Sequence, residues 1–429
     1  MMKPTKYHQF AWCLYDWAHS VWPVLIITFI FSNYFVNSVA SNPVEGNIYW
    51  ANTLTISGII IAILAPITGV ISDTLKNSLS WFRFFTAINI ICAYLLWFVQ
   101  PSPDYMILAM TLCITGSIGF EVSSAFYNSY LVQVTTPKDL SKISGFAWGL
   151  GYIAGIFCLG LCLVAIVLPD QPLFGLITKS NAAHIRMIGP IVGTWYLAFS
   201  LPILFISSEK SSLQLPPLRS IVHQAFGQVR QSIKKTESTP YIYYFLVYRM
   251  IYTDGINTLF SFAGIYAAST FNMGFEDIIY FGIACNLTAG LGCFLASYSD
   301  SVFGEKKTIM GSLAILSVTI YFLLTTNDLS TFWSLALIAT TFVGPLQTSS
   351  RSLMAKMCPL DSQAEFFGLY ALSGRITAFL GPLALGFVTS YTGSQTLGMS
   401  TIIVFLIIGL IGLAYVNIPE EVILPKEPR

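Results

Sequence analysis

Residues 12–20 read Trp12-Cys13-Leu14-Tyr15-Asp16-Trp17-Ala18-His19-Ser20, a carboxylate and an imidazole set inside an apolar run that extends from about residue 10 to 36. A run of that length spans a bilayer as a helix, and an ionisable side chain inside it is costly unless it does something. The motif recurs 238 positions later. Tyr252-Thr253-Asp254-Gly255-Ile256-Asn257-Thr258 carries an aspartate with a hydroxyl four residues on, as Asp16 has Ser20. Two helices of the same design predict a chain built as a repeat.

Further matches follow in order. Gly69 precedes Ser72-Asp73 after the second apolar run, and Ser299-Asp300 follows the eighth, ahead of Gly304, Lys306 and Lys307. Pro137 closes the fourth run and Pro359 the tenth, while Gly145 and Gly151 in the fifth correspond to Gly368 and Gly374 in the eleventh. The offsets drift slowly, as unequal loops would make them.

Composition sets the frame for this repeat. Of 429 residues, 55% are hydrophobic and 10% charged, and mean hydropathy is +0.69, which excludes an ordinary soluble domain and a disordered chain. A net charge of +1 without a basic stripe excludes a nucleic-acid partner. The apolar runs are continuous, not alternating, which excludes a membrane barrel. They predict twelve transmembrane helices near 10–36, 49–72, 82–100, 104–134, 143–168, 187–207, 241–270, 277–299, 308–325, 329–355, 364–390 and 395–416. No cleavable leader is expected at the start, because the opening polar stretch is short and the first run is long.

With a cytoplasmic N-terminus, seventeen of the 21 Lys and Arg residues, Arg351 among them, fall on the cytoplasmic side. Lys179 and Arg186 fall outside, and Arg249 and Arg375 within spans. That bias predicts the orientation, with both termini cytoplasmic. The expected organisation is an all-α polytopic membrane protein: a six-helix bundle over 1–207, a cytoplasmic linker over 208–239 and a second bundle over 240–429. The linker holds Pro216-Pro217 and reads in part as an amphipathic surface helix over 218–233. Parallel repeats of six helices are the layout of a secondary transporter that rocks about a central site.

The buried ionisable groups are the candidate site. Asp16 and Glu121 are expected to handle a proton or cation, Asp254 and Asn257 to contact substrate, and Arg249 and Arg375 to meet carboxylates. Structural pairing is the competing reading, for instance Arg375 with Asp254 or Asp16 with a partner on span four. Trp17, His19, Tyr127, Asn128, Trp148, Tyr152 and Gln347 supply polar or aromatic groups around them. His19 also titrates near neutrality, although packing explains a histidine between tryptophans equally well. Asp73, Asp300 and Lys306, at the short turns after spans two and eight, are expected to latch a gate through charge pairs and helix ends.

No cofactor or metal is expected. The eight cysteines form no CxxC pair, Gly149-Leu150-Gly151 lacks the spacing of a dinucleotide loop, and no nucleotide-binding loop is present. Gly145/Gly149 and Gly151/Gly155 read as small residues that let helices approach. Asn286-Leu287-Thr288 is a sequon buried in span eight, and short outer loops without sequons fit a bacterial inner membrane. A membrane-embedded enzyme would need a nucleophile with a base or a metal cluster, and a receptor a sizeable soluble domain; neither is read here.

Several segments resemble the vacuole-effluxer family of the major facilitator superfamily. These are residues 15–20, Ser144 to Tyr152, residues 252–258, and the run from Gln347 to Pro382 with Ser350-Arg351-Ser352, Glu365-Phe366-Phe367-Gly368-Leu369-Tyr370 and Gly381-Pro382. The family usually has Asn where His19 stands, and the turn after span two has Thr74 where the superfamily usually has Arg. The resemblance implies a twelve-helix major facilitator fold whose cavity is lined by spans one, four, seven and ten, which carry Asp16, Glu121, Asp254 and Arg351. It implies a transporter of a small polar solute such as a neutral or basic amino acid; the carboxylates inside the spans suggest coupling to protons, and a monomer is expected. A siderophore or peptide is the alternative cargo.

Overall fold

The computed structural model describes residues 5–75, 78–136, 138–206 and 239–419, and within them only helices and connecting turns occur. The expected linker and its amphipathic segment lie outside the described residues. Helix α1 (Lys6–Val39) starts at a side-chain cap, the Thr5 hydroxyl accepting the His8 N–H at 3.3 Å, and widens to π geometry over Trp22–Phe29, just where Pro23 removes a backbone donor. Then follow α2 (Pro43–Leu75), α3 (Ser78–Leu95), α4 (Met106–Val134), α5 (Leu140–Cys162) and α6 (Ile188–Leu204). The second half comprises α7 (Pro240–Phe271), α8 (Phe275–Phe303), α9 (Glu305–Thr325), α10 (Leu329–Met357), the pair α11 (Gln363–Ser373) and α12 (Leu380–Thr392), and α13 (Gln395–Tyr415).

Among the described residues, ten helices are long and apolar enough to cross a membrane by length and composition. The seventh crossing, α7, falls short because Arg249, Asp254 and Asn257 dilute it. The eleventh falls short because it is broken. Where one continuous helix is expected, with Arg375 at its middle, the chain turns between Ser373 and Leu380 and Arg375 stands in the turn. The fold is nonetheless the expected one, twelve crossings in two related six-helix bundles. Below, the near face is the one from which α1 starts, and the far face is the opposite one.

Local chemistry sets the turns. A single residue, Gly304 at φ +81°, separates α8 from α9, a backbone geometry that a side chain would strain. On the far face Asp328 caps α10: its carboxylate accepts the Thr331 N–H and hydroxyl, each at 2.7 Å, which holds the Asp328 carboxyl below its ordinary value.

The halves meet through small residues on the near side. A Cβ on Gly145 would stand 2.6 Å from the Cys293 carbonyl oxygen of α8, and one on Gly149 would enter the Phe294 ring. Across the repeat, a Cβ on Gly368 of α11 would stand 2.6 Å from the Ala65 carbonyl oxygen of α2. Gly151 and Gly155 turn the other way and admit α1. Toward the far face α12 packs on α13 and α7 of its own half. The tightest small-residue contacts between the bundles thus lie on the near side. All eight cysteines are buried and free.

Candidate functional site

Arg351 is the organising residue. It is 1% exposed on α10, and every partner of its guanidinium comes from the first half. Nε donates to the Ser144 hydroxyl at 2.9 Å, one terminal nitrogen to the Ser144 carbonyl at 2.6 Å, and the other to the Asp16 carboxylate at 3.1 Å and the Asn128 amide oxygen at 3.4 Å. The Trp12 and Trp148 rings lie 4.9 and 5.3 Å from its centre. A planar cation with a fixed fork of donors tolerates burial when each donor is matched in this way. Two expectations change. Arg351, counted among the cytoplasmic charges, is a buried ion-pair partner, and Asp16 pairs with span ten, while Asn128 of span four accepts from the same guanidinium.

Glu121 of α4 pairs with Arg375 in the break of the eleventh crossing. Their side chains are 20% and 43% exposed, so this second link between the halves borders open space. The alternative pairing of Arg375 with Asp254 does not form. Asp254 instead accepts the Gly381 N–H at 2.9 Å, and among the described residues its other oxygen has no hydrogen-bond partner.

The repeat explains where Gly381 comes from. The Ser20 hydroxyl donates to the Asp16 carbonyl at 2.6 Å, and Gly151 of α5 lies against both; the Thr258 hydroxyl donates to the Asp254 carbonyl at 2.8 Å, and Gly381 of α12 lies against both. The counterpart of Gly151 is thus Gly381, not Gly374, which lies beside the Arg249 guanidinium. Gly145 and Gly151 are six positions apart, Gly368 and Gly381 thirteen. Those seven additional residues make the break, and Arg375 is among them.

Beside Arg351 lies a cavity of about 100 Å³ lined by Asn128, Trp148, Arg249, Tyr252, Thr253, Ile256, Asn257, Leu346, Gln347, Ser350, Arg351 and Tyr370. Tyr152 donates to the Gln347 amide oxygen at 2.9 Å across the halves. Arg249 is held by the Tyr370 carbonyl at 2.7 Å and the Ser373 hydroxyl at 2.6 Å, flat on the Tyr370 ring. Three expected residues stand behind the wall. Trp17 stacks on Trp195, while Tyr127 and His19 pack around Tyr15 and the back of Asp16; the His19 ring nitrogen lies 3.3 Å from the Asp16 backbone oxygen.

The near-face groups take unexpected partners. Asp73 accepts the Glu365 N–H at 2.7 Å, which ties α2 to the start of α11 across the halves. Asp300 accepts from the Ser349 hydroxyl at 2.7 Å within its own half. Lys306 donates to the Ala414 and Val416 carbonyls at 3.2 and 2.8 Å and so caps α13, not a gate. The charge pair expected there belongs to Glu305, which is buried, binds Lys356 at 2.5 Å and accepts from the Ser141 hydroxyl of the first half. Sequence reasoning passed over Glu305, Ser141 and Ser144. Glu305 alone had a signal, an acid opening a helix directly after Gly304.

Comparison with known proteins adds to this geometry. The family described as "Vacuole effluxer Atg22 like" matches residues 132–421. The uncharacterized MFS-type transporter YxiO of Bacillus subtilis is 27% identical over 427 residues, covering 98% of this chain and 97% of that one. Autophagy-related protein 22-1 of Emericella nidulans is 24% identical over 294 residues, 62% of this chain and 48% of the fungal one, so the chain spans about half the length of that relative. Among solved structures, the transporter FucP in the outward conformation superposes with a TM-score of 0.73 at 12% identity, covering 96% and 99% of the two chains. A bacterial homologue of the iron transporter ferroportin in its outward-facing state gives 0.71 at 12% identity over the same shares. At that identity the likeness speaks for the fold alone.

Proposed function

The chain belongs to the vacuole effluxer Atg22-like family of multi-pass major facilitator transporters, and from that premise we propose that it moves a small polar solute, an amino acid being the best fit, by proton-coupled alternating access. The observation that carries the reading is the Asp16–Arg351 contact, a buried ion pair 3.1 Å long between the two halves. A proton on Asp16 removes its charge and leaves Arg351 under-paired in a low-dielectric seam, which favours separation of the near ends. Glu121 and Arg375 repeat the device at a wetter position.

The cavity beside Arg351 supports the cargo. It is lined by the Arg249 and Arg351 guanidinium groups for a carboxylate, with the amides of Asn257 and Gln347 as neutral hydrogen-bonding groups. Its volume suits a small zwitterion. In this reading Asp16 and Glu121 carry the coupling proton, Asn257 contacts substrate while Asp254 lies outside the cavity lining and holds the Gly381 N–H, and Asp73 with Glu305 latches the near ends. The near face is cytoplasmic, the membrane a bacterial inner membrane, and the working unit a monomer with halves at 1–207 and 240–429.

Proteoliposomes holding the purified protein test the proposal. A pH gradient is expected to drive uptake of labelled amino acids, and Asp16→Asn and Glu121→Gln to abolish the gradient's effect. Full proton-dependent uptake by both variants overturns the coupling assignment.

A further inference from the structure

A second cavity, of about 230 Å³, lies away from the transport path between α8, α9 and α10. Gly304 makes it. With one residue between them, α8 and α9 share a vertex at the near face and diverge from it, each presenting a ridge at fourfold spacing. One ridge is Leu295, Ser299 and Phe303, the other Lys307, Gly311 and Ile315, and Pro345 lies in the floor from α10. The walls face outward: Leu295 is 60% and Phe303 62% exposed. The groove is open at Gly311, where a Cβ built on the backbone meets nothing within 4 Å.

Charge sits at one end only. Lys307 is exposed at the vertex, and among the described residues its ammonium makes no ion pair, whereas its neighbour Lys306 caps α13 and Lys356 neutralises Glu305. From Lys307 to Ile315 the helix rises about 12 Å, the length of an extended acyl segment of roughly ten carbons.

We propose that this groove binds one phospholipid of the near-face leaflet, its acyl chain lying along Gly311 between the two ridges and its anionic headgroup paired with Lys307. A lysine at the headgroup level above an apolar slot selects an acidic lipid over a zwitterionic one by charge, while the slot itself is indifferent to the headgroup. The bound chain wedges α9 against α8 and so braces the Gly304 turn.

The test counts lipid on the purified full-length protein by native mass spectrometry, in detergent supplemented with phosphatidylglycerol or with phosphatidylcholine. One phosphatidylglycerol is expected to be retained about fivefold better than phosphatidylcholine. Lys307→Gln is expected to erase that preference, and Gly311→Trp to expel either lipid by filling the slot. Should the tryptophan variant fail to fold, Gly311→Leu plugs the same spot with a smaller group. Equal retention of the two lipids by the unaltered protein, a preference that survives Lys307→Gln, or a retained lipid that survives a plugged groove would each overturn the assignment.

Discussion

The Asp16 carboxylate and the Arg351 guanidinium meet at 3.1 Å although 335 positions separate them in the chain. They come from opposite halves, and both are buried. Asp16→Ala is expected to lower stability by about 3–5 kcal/mol, because it strands a buried guanidinium. Replacing both partners, as Asp16→Leu with Arg351→Met, is expected to recover most of that loss without recovering transport. Thermal unfolding in detergent beside uptake in vesicles separates the two effects; transport by the double variant would sink the coupling role.

Glu121 and Arg375 form the same kind of link where solvent reaches. Their exposure screens the pair, so Glu121→Gln is expected to move stability by less than about 1 kcal/mol while removing proton-dependent uptake. The exchange Glu121→Arg with Arg375→Glu restores the contact and is expected to restore near-face closure. A large fall in melting temperature on Glu121→Gln would mark the pair as structural.

Gly151 and Gly381 make a matched pair of tests. A methyl at Gly151 would stand 2.5 Å from the Ser20 hydroxyl and 3.2 Å from the Asp16 carbonyl, and Gly381 meets Thr258 and Asp254 in the same way. Gly151→Ala is expected to cost about 1–3 kcal/mol by overpacking. Ser20→Ala in the same chain removes the nearer obstacle and is expected to recover part of the loss. Additive losses in the double variant would contradict the packing reading.

Asp73 and Asp300 are sequence counterparts with different partners, and that difference is measurable. Asp73→Ala removes the acceptor of the Glu365 N–H across the seam and is expected to increase near-face opening, read as maleimide reactivity of the native Cys358. Ser349→Ala unties Asp300 within one half and is expected to leave opening unchanged. Equal responses would remove Asp73 from the latch.

Much of this architecture is written in the sequence. Twelve crossings follow from hydropathy, and the repeat follows from the aspartate motifs, because helix length and a buried carboxylate are both local properties. The break in the eleventh crossing escaped because Gly374-Arg375-Ile376-Thr377-Ala378-Phe379 is nearly as apolar as a helix interior, so hydropathy runs straight through it. Arg351 escaped for another reason. Lys356 follows five positions later, and counting charge alone assigns both residues to the surface. Partnerships such as Asp16 with Arg351, or Ser141 with Glu305, leave no local trace, because they are decided by how two bundles dock.

The buried thiols give the seam its own clock. The Cys293 sulfur on α8 faces Gly344 of α10 within its own half, whereas Cys358 ends α10 on the near side; both are buried. On the alternating access proposed above, each parting of the near ends is expected to bare the Cys358 sulfur, which is buried in the arrangement described. The rate at which a small maleimide consumes the native cysteines therefore counts excursions to the other state, and substrate, pH or lipid can be scored by how they speed or slow that consumption in the unlabelled, unaltered protein.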